Sequence, residues 1–147
     1  MAVGMVAFSV IPTAFGWTTS VVVSGSMTPA VRVGDVVSAA PIPAGSVQGL
    51  NKGTVILMDN PAQPGKLLLH RLVRHQPDGT LITKGDANDH EDSSPVPPQN
   101  VKGVARLRVP MIGLPVVWAK QRLYPPLIAL VVLLGIVLLW HPQPRDD

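Results

Sequence analysis

"KLLLHRLVRHQPDGTLITKGD", residues 66–86, is the stretch on which the fold turns. Asp78–Gly79 is a dipeptide suited to a tight turn, and it separates two short runs rich in leucine, valine, isoleucine and threonine. The pattern predicts a β-hairpin joining "LLLHRLVR" to "TLITK". Working outward, "GTVILMD" (53–59) is a continuous apolar strand candidate and "VKGVARLRV" (101–109) is a further one. "VRVGDVVSAA" (31–40) alternates and breaks at Gly34–Asp35. No helix of three turns is convincing in this middle region, and it holds no repeat or low-complexity tract. Sixteen prolines and thirteen glycines imply many turns and short elements. Residues 24–118 are therefore expected to form one mostly-β domain, a size in keeping with a chain of 147 residues.

The two ends are different in kind. From Met1 to Gly25 there is no Lys, Arg, Asp, Glu or His, and the first charge is Arg32. About 20 apolar residues cross a hydrocarbon core ~30 Å thick, so 1–23 reads as a membrane anchor. Pro12 and Gly16 would kink or loosen such a helix without forbidding it. The rival reading is a cleaved secretory signal, which requires a positive n-region that "MAVGMVAFSV" lacks. The second run, "LYPPLIALVVLLGIVLLW" (123–140), would be ~27 Å long as a helix, with Tyr124 and Trp140 placed for the two interfaces. It predicts a C-terminal transmembrane helix after a linker at 119–122, with 141–147 as a tail. "PMIGLPVVW" (110–118) is apolar, carries two prolines and reads as a segment lying on the bilayer surface. Two spans place both termini on one side. The positive-inside rule gives the middle a weak vote for the cytoplasm, but a loop of ~100 residues is beyond its reliable range.

Composition narrows the classes. Charged residues are 14%, about half of the ~25% usual in soluble domains, which points to membrane association. A net charge of +3 without a basic cluster gives no case for a nucleic-acid partner. The chain has no cysteine, so thiolate chemistry and disulfides are excluded.

Few side chains are left to do chemistry. "VVVSGSMTPAVRVGD" (21–35) sets Ser24 and Ser26 at the edge of the charge-free run, as turn residues or as a nucleophile held at a membrane surface. A serine nucleophile needs a base, an orienter for that base and donors for the oxyanion. His70 sits in an apolar strand, where a satisfied core histidine is the alternative to a catalyst. His75 lies five residues on, facing the other way on a regular strand and expected in solvent near the turn. "KGDANDHEDSSPV" (84–96) gathers Asp86, Asp89, Glu91 and Asp92. A calcium loop fails where its glycine would be, at Glu91, and a transition-metal reading through His90 is weak. A solvated acidic turn remains the alternative.

Taken together and in order, "SGSMTP", "VGD", "HR" and "TKGDAN" with a later Asp resemble the type I signal peptidases, serine peptidases of family S26. The likeness is greatest to the histidine-base branch of the endoplasmic reticulum, archaea and some Gram-positive bacteria, and it runs from the first anchor to about Trp118. It implies a signal-peptidase-type β catalytic domain flanked by N- and C-terminal transmembrane helices. It implies Ser26 as nucleophile, His70 as general base where the lysine branch has lysine, and Asp92 as the acid behind it. Asp86 is a second acid that supports the site. Ser24, with the backbone N–H of Ser26, makes the oxyanion hole. Lys66, four before His70, is the one lysine worth testing as a rival base.

The substitution is chemically coherent. A lysine must shift from ~10.4 by about three units to be neutral near pH 7, roughly 4 kcal/mol, whereas histidine starts at ~6.5. A histidine base predicts an acid limb at about pH 6–7 in the rate profile. The resemblance further implies a multi-pass plasma-membrane enzyme with its catalytic domain outside the cytoplasm. Its partners would be signal-peptide-bearing precursors and the bilayer, with small side chains at the first and third positions before the cut. Shallow apolar pockets near Met27 and in "TVILM" would receive those side chains, beside a sheet edge that accepts the substrate strand. No cofactor or metal is expected. The other class of reading is a catalytically inactive membrane-anchored binding or assembly module on the same fold. A self-cleaving repressor is set aside because its Ser–Lys pair and DNA-binding front end are missing.

Overall fold

The computed structural model describes residues 12–139. Residues 1–11 of the first anchor, Trp140 at the end of the second and the tail at 141–147 lie outside the described residues. Six strands form one antiparallel sheet: β1 Thr18–Val21, β2 Val36–Ala40, β3 Val55–Asp59, β4 Leu67–His75, β5 Leu81–Lys84 and β6 Val101–Val109. Their order across the sheet is β1-β2-β6-β3-β4-β5. The fold is thus a mostly-β antiparallel domain.

The hairpin read from residues 66–86 is there. β4 pairs with β5 from Arg71 opposite Lys84 to His75 opposite Leu81. The loop between them closes through Gln76 N–H to the Thr80 carbonyl at 2.8 Å, with Gly79 at φ 84° and Asp78 accepting the Thr80 N–H. β3 lies against β4 with Ile56 opposite His70. Strand alternation gives the sheet two apolar faces. Ile56, Met58, Leu72, Leu81, Val96 and Val104 pack into one cluster, while Met27, Val31 and Val37 form the other with Val55, Leu69 and Ala105.

Two elements differ from the sequence reading. Thr18–Val21, inside the run given to the anchor, is strand β1, paired with β2 from Thr18 opposite Ala39 to Val21 opposite Val36. Absence of charge dominated that reading, yet Thr18, Thr19 and Val21 are β-branched residues suited to a pleated edge. Residues 114–120 of the supposed surface segment form a two-turn helix, α1 (Leu114–Lys120), with Pro115 in its first turn, where a missing N–H costs nothing. A second helix, α2, runs Tyr124–Leu139, sixteen residues with no buried side chain. At 1.5 Å per residue it is about 24 Å long. Among the described residues no helix is long and apolar enough to cross a membrane.

Gly34–Asp35 serves architecture. Gly34 has φ 92°, and a Cβ there would collide with the Leu114 side chain. Asp35 is buried, 2% exposed, and its carboxylate accepts the N–H groups of Arg32 (2.9 Å) and Met111 (3.1 Å). The pair therefore ties the segment after β6 to the turn entering β2. It also fixes the far end of the loop that carries Ser26.

Candidate active site

Four pieces of chain converge at one corner of the sheet. The loop after β1 brings Ser26, β4 brings His70, β5 brings Thr83, and the segment returning beside β5 brings Asp92. That segment is pinned by two contacts, Asp92 N–H to the Thr83 carbonyl (2.9 Å) and a two-way bridge between Leu81 and Val96 (2.9 and 2.8 Å). The loop's own end is anchored by Met27, fully buried in the second cluster.

Ser26 Oγ lies 3.2 Å from His70 Nε2, and His70 Nδ1 lies 2.5 Å from Asp92 Oδ2. Carboxylates only accept, so Nδ1 carries the proton it donates to Asp92, and Nε2 is left to accept from the Ser26 hydroxyl. The His70 side chain is 5% exposed and the Asp92 side chain 20%. A neutral imidazole fixed in this tautomer, with a hydroxyl at its free nitrogen, can act as a general base toward that hydroxyl. Ser24 Oγ stands 3.4 Å from Ser26 Oγ on the exposed side of the loop.

Asp86 takes a different position from Asp92. Its two carboxylate oxygens accept from Arg71 Nε (2.8 Å) and Nη2 (2.6 Å), while Arg71 Nη1 donates to the Gly53 carbonyl (2.7 Å). The Arg71 hydrogen bonds hold the Asp86 carboxyl below its ordinary range, against the opposing effect of burial, and the charges of Arg71 and Lys84 add to the lowering. The same hydrogen bond raises the Arg71 guanidinium, against its own desolvation. This fork locks the 85–88 turn onto β4. In that turn Ala87 N–H donates to the Ser26 carbonyl (2.8 Å) and Asn88 N–H to the Gly85 carbonyl (3.0 Å).

Gly85 is there because nothing larger fits. A Cβ at Gly85 would stand 2.6 Å from the Ser26 carbonyl oxygen, 2.9 Å from Asn88 Nδ2 and 3.0 Å from His70 Nε2. Sequence reading took "TKGDAN" as a motif without seeing that its glycine lets the Ser26 backbone and the His70 ring come together. Thr83 and Gly85 were both missed, and the signal for them was that motif itself.

The other sequence candidates fall elsewhere. Lys66 is in the exposed turn before β4, its backbone tied to Gln63 and Asn60, and no side-chain bond links it to Ser26 among the described residues. His75 is half-buried rather than solvated. Its Nε2–H donates to the Leu50 carbonyl at 2.8 Å, and its Nδ1 is buried without a partner. The β4 register shift between Leu72 and Arg74 breaks the simple alternation on which the opposite-face reading rested. His90 and Asp89 are exposed, and Glu91 pairs with Arg74 at the surface (2.9 Å). Among the described residues no group of three or more His, Cys, Asp or Glu is placed to hold a metal ion.

Beside Ser26 lies a small depression of about 50 Å³ lined by Val21, Val23, Met27, Leu57, Leu67 and Leu69. Sequence reading looked for lining residues near Met27 and in 54–58, and Met27 and Leu57 are among them. β1, one of the sheet's two edge strands, borders it through Ser20 and Val21.

Fold and site together describe an antiparallel β domain with a buried histidine bridging a serine and an aspartate. The chain is similar to signal peptidase I W of Bacillus subtilis (strain 168), 38% identical over 94 residues. The similarity covers 62% of this chain and 47% of that relative, so the chain matches about half the relative's length. No family model matches the chain.

Proposed function

We propose that this chain is a membrane-bound serine endopeptidase of the histidine-base type I signal peptidase kind, which removes N-terminal signal peptides from exported precursors. The observation that carries the proposal is the unbroken relay Ser26–His70–Asp92, at 3.2 and 2.5 Å. The similarity to signal peptidase I W supports the class of substrate.

In this reading His70 Nε2 takes the Ser26 proton as Oγ attacks the scissile carbonyl. Asp92 holds the tautomer and stabilises the imidazolium that forms. The Ser26 N–H and Ser24 hydroxyl receive the oxyanion. His70 then gives the proton to the departing amine, leaving a Ser26 ester, and returns as base for the water that hydrolyses it. The signal peptide's last residues lie as an added strand along β1 and the 21–24 segment, small side chains entering the depression by Met27 and Leu57. The depression is lined chiefly by apolar side chains, which suits small apolar groups such as alanine.

The proposal includes the membrane. Residues 1–17, up to the start of β1, and 123–140 anchor the domain on the extracytoplasmic face, where a signal helix delivers its cleavage point. Holding nucleophile and substrate at one depth raises their effective concentration. The test is cleavage of a signal-bearing precursor in vesicles. Ser26→Ala and His70→Ala are expected to abolish it, and His75→Ala to leave it largely intact. Full activity in Ser26→Ala would remove the proposal. Equal precursor turnover with and without the wild-type protein would favour an inactive binding module.

A further inference from the structure

Thr83 is a fully buried residue on β5, 0% exposed, opposite Leu72 and lining a cavity with Met58 and Val96. Valine has the same shape, suits a strand as well and carries no polar group to desolvate. A hydroxyl at this place is unfavourable unless its proton is used. It is used on Asp92: Thr83 Oγ1 donates to Asp92 Oδ2 at 2.6 Å, the same oxygen that receives His70 Nδ1–H at 2.5 Å. The Thr83 carbonyl meanwhile accepts the Asp92 N–H at 2.9 Å. One residue therefore holds both the backbone and the side chain of the aspartate.

The carboxylate needs that hold. Apart from His70 itself, no other side chain donates to it among the described residues. On its far side lies a cavity of about 140 Å³, lined by Asn60, Ser93, Ser94, Thr83 and Asp92 itself. Without the threonine proton the carboxylate can turn into that space, and the imidazole loses the partner that fixes its tautomer. A bond to an ionised oxygen is also stronger than one between neutral groups, so this is an effective tether.

We infer that Thr83 is a positioning residue for the proposed peptidase reaction, extending the relay to Ser26–His70–Asp92–Thr83. It acts on the chemical step through Asp92 and does not touch substrate. The inference rests on the peptidase reading.

The experiment compares Thr83→Val and Thr83→Ser in the full-length protein on one precursor substrate, with kcat and KM measured separately and melting followed for each. Valine keeps the shape and removes the proton; serine keeps the proton and removes a methyl from the core. The expected result is a kcat lowered roughly tenfold or more in Thr83→Val at unchanged KM, with Thr83→Ser within about threefold of wild type. The opposite pattern, or equal losses in both variants, makes the residue a packing element and overturns the inference. If Thr83→Val does not fold, Thr83→Ala replaces it, and the same separation from serine in kcat alone is required. Failure of the wild-type protein to cleave any precursor would instead count against the peptidase reading, a result separable from these.

Discussion

Position 70 holds an imidazole in a strand otherwise built of leucine, valine and arginine, and the strand by itself leaves two readings open: a satisfied core histidine or a base. Both descriptions fit the folded residue, buried to 4% exposure and hydrogen-bonded on both ring nitrogens. What separates them is the identity of the partners, which lie 44 and 22 residues away in sequence. Local pattern cannot report such contacts; only the order of motifs along the chain pointed to them. His75 shows the reverse case, where "near a turn" suggested solvent but a backbone carbonyl at Leu50 claims the ring. At this scale the account predicts that Asp92→Asn lowers kcat by about 10⁴-fold with the fold retained, because the amide donates where the carboxylate accepted and the imidazole is left in the wrong tautomer. Precursor cleavage followed alongside circular dichroism checks both halves.

Among elements, β3 to β6 were readable because each is a short apolar run bounded by turn residues. β1 was not, since four strand residues at the end of a charge-free stretch look like more of the same stretch. α1 was hidden by Pro115, which breaks a helix in its interior but starts one in its first turn. The 85–88 turn is the element on which the site depends most. Ala at position 85 would press on the Ser26 carbonyl, which is backbone and cannot swing away as a side chain could. Gly85→Ala is expected to cost about 10²-fold in kcat/KM, the scale of a misplacement near 1 Å. It should cost only about 1–3 kcal/mol of stability from overpacking. Kinetics and a denaturant titration of the same variant separate the two effects.

The fork that holds this turn gives a pH signature. Asp86 has its carboxyl lowered, chiefly by the Arg71 hydrogen bonds, so the folded state binds its proton less tightly than the unfolded chain does. The stabilisation it supplies is therefore fully present above the unfolded value of ~3.9 and is lost as pH falls through the lower folded value. Arg71 is more than a third exposed, so the contribution is discounted to on the order of 1 kcal/mol. Asp86→Asn should be less stable than wild type at neutral pH by that amount. The difference should shrink below about pH 4 in urea titrations, where the wild type alone loses the pair.

For the whole molecule, the sheet places one edge strand, an apolar depression and a serine together, with a sixteen-residue helix of exposed apolar side chains at the other end of the chain. Composition had already indicated the contrast between greasy ends and polar middle, because it depends on counts alone and not on contacts. The extent of the β domain was less legible, since its first strand lies within one of those ends. Because α2 buries no side chain, removing 123–147 should leave cleavage of a soluble signal-sequence peptide within a fewfold of wild type. Processing of a vesicle-anchored precursor should fall much further. The most direct measurement of the central claim is covalent trapping: the full chain in vesicles is treated with a signal-sequence peptide ending in a serine-reactive phosphonate, digested and mapped by mass spectrometry. The adduct is expected on Ser26, and His70→Ala should abolish its formation. A protein that cleaves precursors yet carries the label elsewhere, or labels Ser26 equally well without His70, would contradict the account.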